Sequence, residues 1–254
     1  MIIVISPAKK LDFKTKSKVK KHTVPGFLDK SAELMEDLRQ FAPTDLAVLM
    51  NVSDDIANLT FERHSQWKTP FDTENALQAL LAFKGDVYRG IDANSFSPED
   101  MDFAQDHLRI LSGLYGVLRP MDLIQPYRLE MGAKFTTSRG KSLYQFWTDT
   151  ITSALNRDLK KHREKILVNL ASHEYFRVIN EDRLEGEVVT PVFMEYRNDQ
   201  YKVVGILAKK ARGMMSRFII RNRLKKTEEI KLFSMDGYSY DDNLSSEKEW
   251  VFTR

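Results

Sequence analysis

The chain has 254 residues, 42% of them hydrophobic and 30% charged, with a formal net charge of +3. That length can bury a sizeable core, as one large domain or two small ones, and the composition is ordinary for a soluble globular protein. There is no cysteine, which excludes disulfides, a thiolate nucleophile and a thiolate metal site and fits a reducing, cytoplasmic setting.

The chain opens with the apolar run Ile2–Ile5. It is too short to span a membrane and follows no basic segment, so it is neither a signal peptide nor a membrane anchor and reads as a buried first strand. Lys9, Lys10, Lys14, Lys16, Lys18, Lys20 and Lys21 follow, with only Asp12 among them. Leu34, Met35, Leu38 and Phe41 mark a first helix, and Leu77, Leu80 and Leu81 a second. Next comes FKGDVYRG at 83–90, where Lys84 and Asp86 flank Gly85 at the expected end of a helix. They can pair with each other or reach into a shared cleft. The third helix starts at Ser97-Pro98-Glu99-Asp100, with Ser as N-cap, Pro in the first turn and an acid at N3. Met101, Ala104, Leu108 and Leu111 carry its period to about Ser112.

Residues 112–132 read SGLYGVLRPMDLIQPYRLEMG. Gly113 can end the helix, and Gly116 supplies a second permissive backbone position. Such a turn can present N–H groups to a phosphate, as helix-hairpin-helix modules do on DNA. Those modules usually have one residue between their glycines, and here there are two; a helix cap followed by a structural turn is the simpler reading of the spacing. Arg119 lies in the same block. Beyond Pro126, Tyr127, Leu129 and Met131 alternate with Arg128 and Glu130, an extended segment with its charges on one side. A structural ion pair or a clamp for carboxylate or phosphate would each explain that pattern.

Trp147, Ile151, Leu155 and Leu159 mark a fourth helix, and strands follow at Ile166–Leu170, Val188–Tyr196, Tyr201–Leu207 and Trp250–Thr253. The two middle strands flank Asn198-Asp199 and read as a hairpin. Two strands end alike, IIVIS before PAK and ILVNLAS before HEYF. Ligands of open α/β sheets bind at the carboxyl ends of strands, so Ser6, Lys9, Asn169 and Ser172 are candidates. The plainer alternative makes both serines caps of backbone amides.

The stretch AKKARGMMSRFIIRNRLKK follows the hairpin. On a helix, Arg217 and Arg221 each fall within about 20° of Lys210, with Lys209 and Arg212 nearby in sequence. Gly213 inside it costs about 1 kcal/mol relative to Ala, and close approach of a backbone or ligand is one reason to accept that cost. A Lys/Arg stripe attracts phosphates, although a solvated helix face has the same composition. The five histidines have no metal-binding spacing, and neither GxSxG, a Walker loop nor GxGxxG occurs. No metal, cofactor or membrane partner is expected. The fold class is mixed α/β: a single domain over 1–254, with a helical region at roughly 26–112 and a sheet fed by both chain ends.

SPAK at 6–9, FKGDVY at 83–88, the 111–132 block, LYQFW at 143–147, NLAS at 169–172 with Glu174-Tyr175, and AKKARGMMSRFII at 208–220 form one set. Together they resemble the YaaA family of peroxide-stress proteins, across nearly the whole chain. Lys10 and Met121 stand where that pattern leads one to expect Thr and Leu. The resemblance implies a cytosolic bacterial protein made under hydrogen peroxide stress and associated with lowering free iron. It also implies a family-specific mixed fold with a helix-hairpin-helix-like element and a positively charged cleft for double-stranded or branched DNA. On that reading Gly113, Gly116, Arg119, Arg128, Lys209, Lys210, Arg212, Arg217 and Arg221 join Ser6, Lys9, Asn169 and Ser172 as phosphate contacts. The alternative is an enzyme acting on a small phosphorylated or nucleotide-like substrate, with Lys9, Lys84, Asp86 and Glu130 as catalytic candidates. Convergence of these polar groups in one pocket favours the second reading, and scatter disfavours it. Direct iron sequestration ranks last, because the His and carboxylate residues form no recognisable ligand set.

Overall fold

In the computed structural model, which describes residues 1–14, 19–137 and 139–254, the first apolar run forms strand β1 (Ile2–Ile5), buried throughout. Lys16 and Lys18 of the basic run lie outside the described residues. After β2 (Lys10–Leu11) come helices α1 (Leu28–Leu38), α2 (Pro43–Met50) and α3 (Asp54–Gln66). Then follow β3 (Leu77–Gln78), the single turn α4 (Ala79–Ala82), β4 (Phe83–Lys84), α5 (Asp86–Ile91) and α6 (Pro98–His107). The expected cap of α6 forms in full: Ser97 Oγ accepts from the Asp100 N–H at 3.2 Å, and Asp100 accepts from the Ser97 N–H at 3.1 Å. The remaining elements are β5 (Leu108–Ser112), β6 (Gly116–Leu118), β7 (Leu123–Ile124), α7 (Leu143–Leu159), β8 (Ile166–Leu170) and α8 (His173–Phe176). The chain closes with β9 (Glu187–Arg197), β10 (Gln200–Lys202), α9 (Gly205–Arg221), β11 (Ser239–Tyr240) and β12 (Glu249–Thr253).

The main sheet runs β11-β12-β9-β8-β1-β5-β6, with β10 hydrogen-bonded to β9. Its centre is parallel: Ile3 of β1 lies opposite Leu108 of β5 on one side and Val168 of β8 on the other. A strand covered on both faces needs apolar side chains at successive positions, which is why IIVI and ILVNL show little alternation. The chain leaves β1 for β5 on one side and later lays β8 on the other. The carboxyl ends of β1 and β8 therefore flank a topological switch point. Among the described residues no helix is long and apolar enough to cross a membrane.

Three sequence expectations change. Helix α6 stops at His107, and Leu108–Ser112 is a strand with every residue buried. A short, wholly buried run satisfies helical and strand periods alike, so the period cannot separate them. Gly113–Gly116 therefore joins two antiparallel strands, with Ser112 paired to Gly116, and is not a helix-hairpin-helix turn. The turn is buried: Leu114 and Tyr115 are inaccessible, the Tyr115 N–H donates to Ser112 Oγ at 3.0 Å, and the Gly113 carbonyl accepts from Trp147 Nε1 at 2.8 Å. Gly116 has a left-handed φ of 70° and stands against the Trp147 ring, so these glycines serve packing and do not face a phosphate. Two helices joined by a short turn do occur upstream, at α2–α3, where Asn51 is left-handed with φ 50°. Finally, β10 ends at Lys202, so Ile206 and Leu207 belong to α9. The Asn198-Asp199 turn has both φ positive, at 49° and 59°, as a tight hairpin requires.

The glycine inside the basic helix has a definite partner. A Cβ on Gly213 would collide with the Val87 carbonyl oxygen, and one on Gly90 with the Lys210 carbonyl oxygen. Helices α5 and α9 thus cross backbone to backbone at paired glycines. Helix propensity alone predicts that Gly213→Ala gains about 1 kcal/mol. The crossing predicts a net loss of about 1–3 kcal/mol, read as a lower urea midpoint.

Candidate functional site

The switch point is built around two serines. Ser6 Oγ donates to Ser172 Oγ at 3.2 Å and accepts from the Ser172 N–H at 2.8 Å, joining the ends of β1 and β8. Tyr88 of α5 donates its hydroxyl to the Ser6 carbonyl at 3.1 Å. Around this junction lies a cleft of about 490 Å³. Ser6, Lys9, Lys84, Asp86, Arg128, Glu130, Ser172, Lys209 and Arg212 all line it, drawn from five separate stretches of sequence. Lys84 and Asp86 do not pair with each other: Lys84 lies 3.9 Å from Asp12, and Asp86 binds Arg89.

The extended segment after Pro126 forms one wall, with Tyr127, Leu129 and Met131 buried as the alternation requires. Glu130 Oε1 receives Arg128 Nη2 at 2.8 Å and Lys9 Nζ at 3.4 Å. The Arg128 and Glu130 side chains are each 14% exposed, so this ion pair is largely removed from water. Arg128 Nε and Glu130 Oε2 are buried with no hydrogen-bond partner. A buried charge left partly unsatisfied costs stability, and such costs concentrate where function maintains them. Behind the wall, His64 Nε2 lies 3.2 Å from the Arg128 carbonyl. A carbonyl only accepts, so Nε2 carries the proton. Burial lowers the His64 pKa to about 4; the Arg128 carbonyl bond partly offsets this, and the Arg39 and Arg63 charges add to the lowering.

Tyr88, Tyr127 and Tyr175 also line the cleft; the alternation after Pro126 marked Tyr127, and sequence reasoning gave Tyr88 and Tyr175 no role. Tyr88 and Tyr175 lay inside the recognised motifs, but nothing in their spacing marked them as wall residues. Burial raises all three phenol pKa values, so they stay protonated donors. Other predicted residues fall elsewhere. Asn169 is buried and holds the end of β8, accepting from the Ala171 N–H at 3.1 Å and contacting Thr190 Oγ1 at 3.3 Å. Arg119 clamps Asp122 at 2.9 Å. The stripe on α9 is tied down: Lys210 pairs with Asp236 at 3.1 Å, Arg217 with Asp92 at 2.9 Å, and Arg221 donates to the Ser95 carbonyl at 2.6 Å.

The cleft is not isolated. It shares Lys10, Lys84, Gly85, Asp86 and Tyr88 with a wider groove of about 1300 Å³. That groove shares Phe13, Arg63, Gln66 and Pro126 with another of about 1330 Å³. Among the described residues the joined trough is lined by twelve Lys and Arg against seven Asp and Glu. Its excess of positive charge exceeds the +3 of the whole chain, so the rest of the molecule is net acidic. Rim cations can hold a phosphate or carboxylate, and Glu130 and Asp86 can accept a proton. Among the described residues no group of three or more His, Cys, Asp or Glu is placed to hold a metal ion.

Two outcomes follow for the wall. His64 binds a proton less readily folded than unfolded, so its stabilising effect is complete above about pH 6.5 and is lost as pH falls towards about 4. The loss amounts to roughly 3 kcal/mol. Urea midpoints at pH 7.5 and 4.5 will fall further apart in the native chain than in His64→Gln. Glu130→Ala strands the Arg128 guanidinium and costs roughly 3–5 kcal/mol, whereas Arg128→Met/Glu130→Leu melts close to the native chain. Thermal melts distinguish the two.

Comparison with known proteins agrees with the motif set. The family described as peroxide stress protein YaaA matches residues 1–244. A UPF0246 protein of Saccharophagus degradans is 53% identical over 254 residues, covering 100% of this chain and 99% of the relative. UPF0246 proteins of Hahella chejuensis, at 52% over 254 residues, and Paraburkholderia phytofirmans, at 50% over 256, cover all of this chain and 99% and 98% of their own lengths. With its sheet, its motifs and its full-length relatives in agreement, the chain belongs to the peroxide stress protein YaaA family.

Proposed function

We propose that the chain serves the peroxide response by binding nucleic-acid phosphates, double-stranded or branched DNA being the polyanion, along the trough. The observation that carries this reading is the concentration of positive charge in one continuous concave surface on an otherwise acidic molecule. Such a surface attracts a polyanion and gives up affinity as salt displaces it. The working cations are those of the trough, Lys9, Lys68, Lys84 and Lys209 among them, where Lys and Arg outnumber Asp and Glu, and not the stripe of α9. An effect on free iron is then indirect, through the nucleic acid and not through iron held by this chain.

A second reading has its own support. Ser6, Lys9, Lys84, Asp86, Arg128, Glu130, Ser172 and Lys209 meet in the cleft, whereas Asn169 does not line it. That convergence suits an enzyme acting on a phosphorylated or nucleotide-like group. Rim lysines and Arg212 would hold the phosphate, and Glu130 would move a proton beside Lys9.

Fluorescence anisotropy of a labelled duplex across a salt series tests the first reading. Lys68→Glu/Lys209→Glu weakens binding and lowers the salt slope by roughly one per lysine removed. Lys210→Glu/Arg217→Glu leaves the slope near that of the native chain. Binding that ignores salt, or that is lost only in the second pair, overturns the assignment.

A further inference from the structure

We propose that the cleft receives a single nucleotide drawn out of a duplex lying in the trough. The inference rests on the nucleic-acid reading and adds to it a ligand for the cleft. Three features lead to it. First, the cleft opens directly into the trough across Lys84, Gly85 and Tyr88. Second, at about 490 Å³ it has the size of a small-molecule site, so one nucleotide can enter and a stacked duplex cannot. A group on its floor can therefore meet a base only after that base leaves the stack.

Third, the walls have two chemistries in the order a nucleotide needs. Exposed Lys9 and Lys209 stand at the rim, where a backbone phosphate would remain. Buried Tyr127 and Tyr175 line the cleft alone, and Tyr88 stands where it meets the trough, together giving apolar ring surface for a heterocycle. Two of these rings are fixed in advance, Tyr88 by the Ser6 carbonyl at 3.1 Å and Tyr127 by Ser112 Oγ at 2.7 Å. The loops of SPAK and KGD pack closely beside this opening: a Cβ on Gly85 would stand 3.3 Å from that of Ala8, and both residues line the cleft. Extrusion costs least where a base is mismatched or damaged, so the site selects such positions without reading sequence.

The test places 2-aminopurine in a duplex, opposite either thymine or cytosine, and follows its fluorescence and the duplex anisotropy together. Binding by the native chain raises the fluorescence several-fold, and more strongly for the mismatch. Ala8→Trp, which puts a large ring into the lining of the cleft, keeps the anisotropy change and loses the fluorescence rise. Millimolar deoxyadenosine monophosphate suppresses the rise while the duplex stays bound, a readout that needs no variant. Anisotropy change without any fluorescence rise overturns this proposal and leaves the nucleic-acid reading intact. A rise that survives both Ala8→Trp and the competing nucleotide places the unstacked base elsewhere and also overturns it. No anisotropy change at low salt overturns the parent reading, and this one with it.

Discussion

The crossing of α5 and α9 at Gly90 and Gly213 is the contact on which the site depends. Helices packed through ordinary side chains stand 8–10 Å apart. Here glycines let the backbones meet, and any Cβ at either position would strike a carbonyl of the other helix. That proximity sets Lys209 and Arg212 of α9 across from Asp86 at the start of α5 and Lys84 of β4 just before it. Part of the cleft's charge thus depends on backbone contact, since Asp86 of α5 and Lys209 and Arg212 of α9 come from helices that could not otherwise approach. Tyr88 carries the same constraint to the sheet, since its hydroxyl joins α5 to the end of β1.

Local charge balance then divides the cations into two populations. Those on the outer stripe of α9 find Asp236, Asp92 and the Ser95 carbonyl, and so act as internal fasteners. Those along the trough outnumber the acids beside them, and among the described residues Lys10, Lys68 and Lys209 form no ion pair. Net charge alone hides this division, because the acidic remainder cancels most of the trough. The buried Arg128–Glu130 pair belongs to neither population. It holds a wall of the cleft, with His64 behind it kept neutral by burial.

Local signals predicted much of this fold. The Ser97 cap, the Asn198-Asp199 turn and the strands at 2–5 and 166–170 each follow from residues adjacent in sequence. Alternation after Pro126 gave an extended segment with Arg128 and Glu130 on one side, and the fold buries Tyr127 and partly buries that pair. Failures came where long-range packing decides. LRILS satisfies either period, and only its place between β1 and β6 makes it a strand. Gly113 and Gly116 were read for backbone freedom, when Leu129 and Trp147 pressing on them is the reason no side chain fits. The helical wheel placed Lys210, Arg217 and Arg221 on one face correctly, but it cannot show that the face meets Asp236, Asp92 and Ser95. The strand-end rule located Ser6 and Ser172, whereas the tyrosines of the cleft come from segments whose meeting only the fold reveals.

The central claim is that the trough and its cleft, and not the outer stripe of α9, form the working face. Lysine acetylation footprinting by mass spectrometry, with and without a DNA duplex at low salt, tests it most directly. The account predicts that duplex slows acetylation of Lys9, Lys68, Lys84 and Lys209 while Lys210 reacts at its free rate. Protection of Lys210 with Lys9 and Lys84 left unprotected would contradict it.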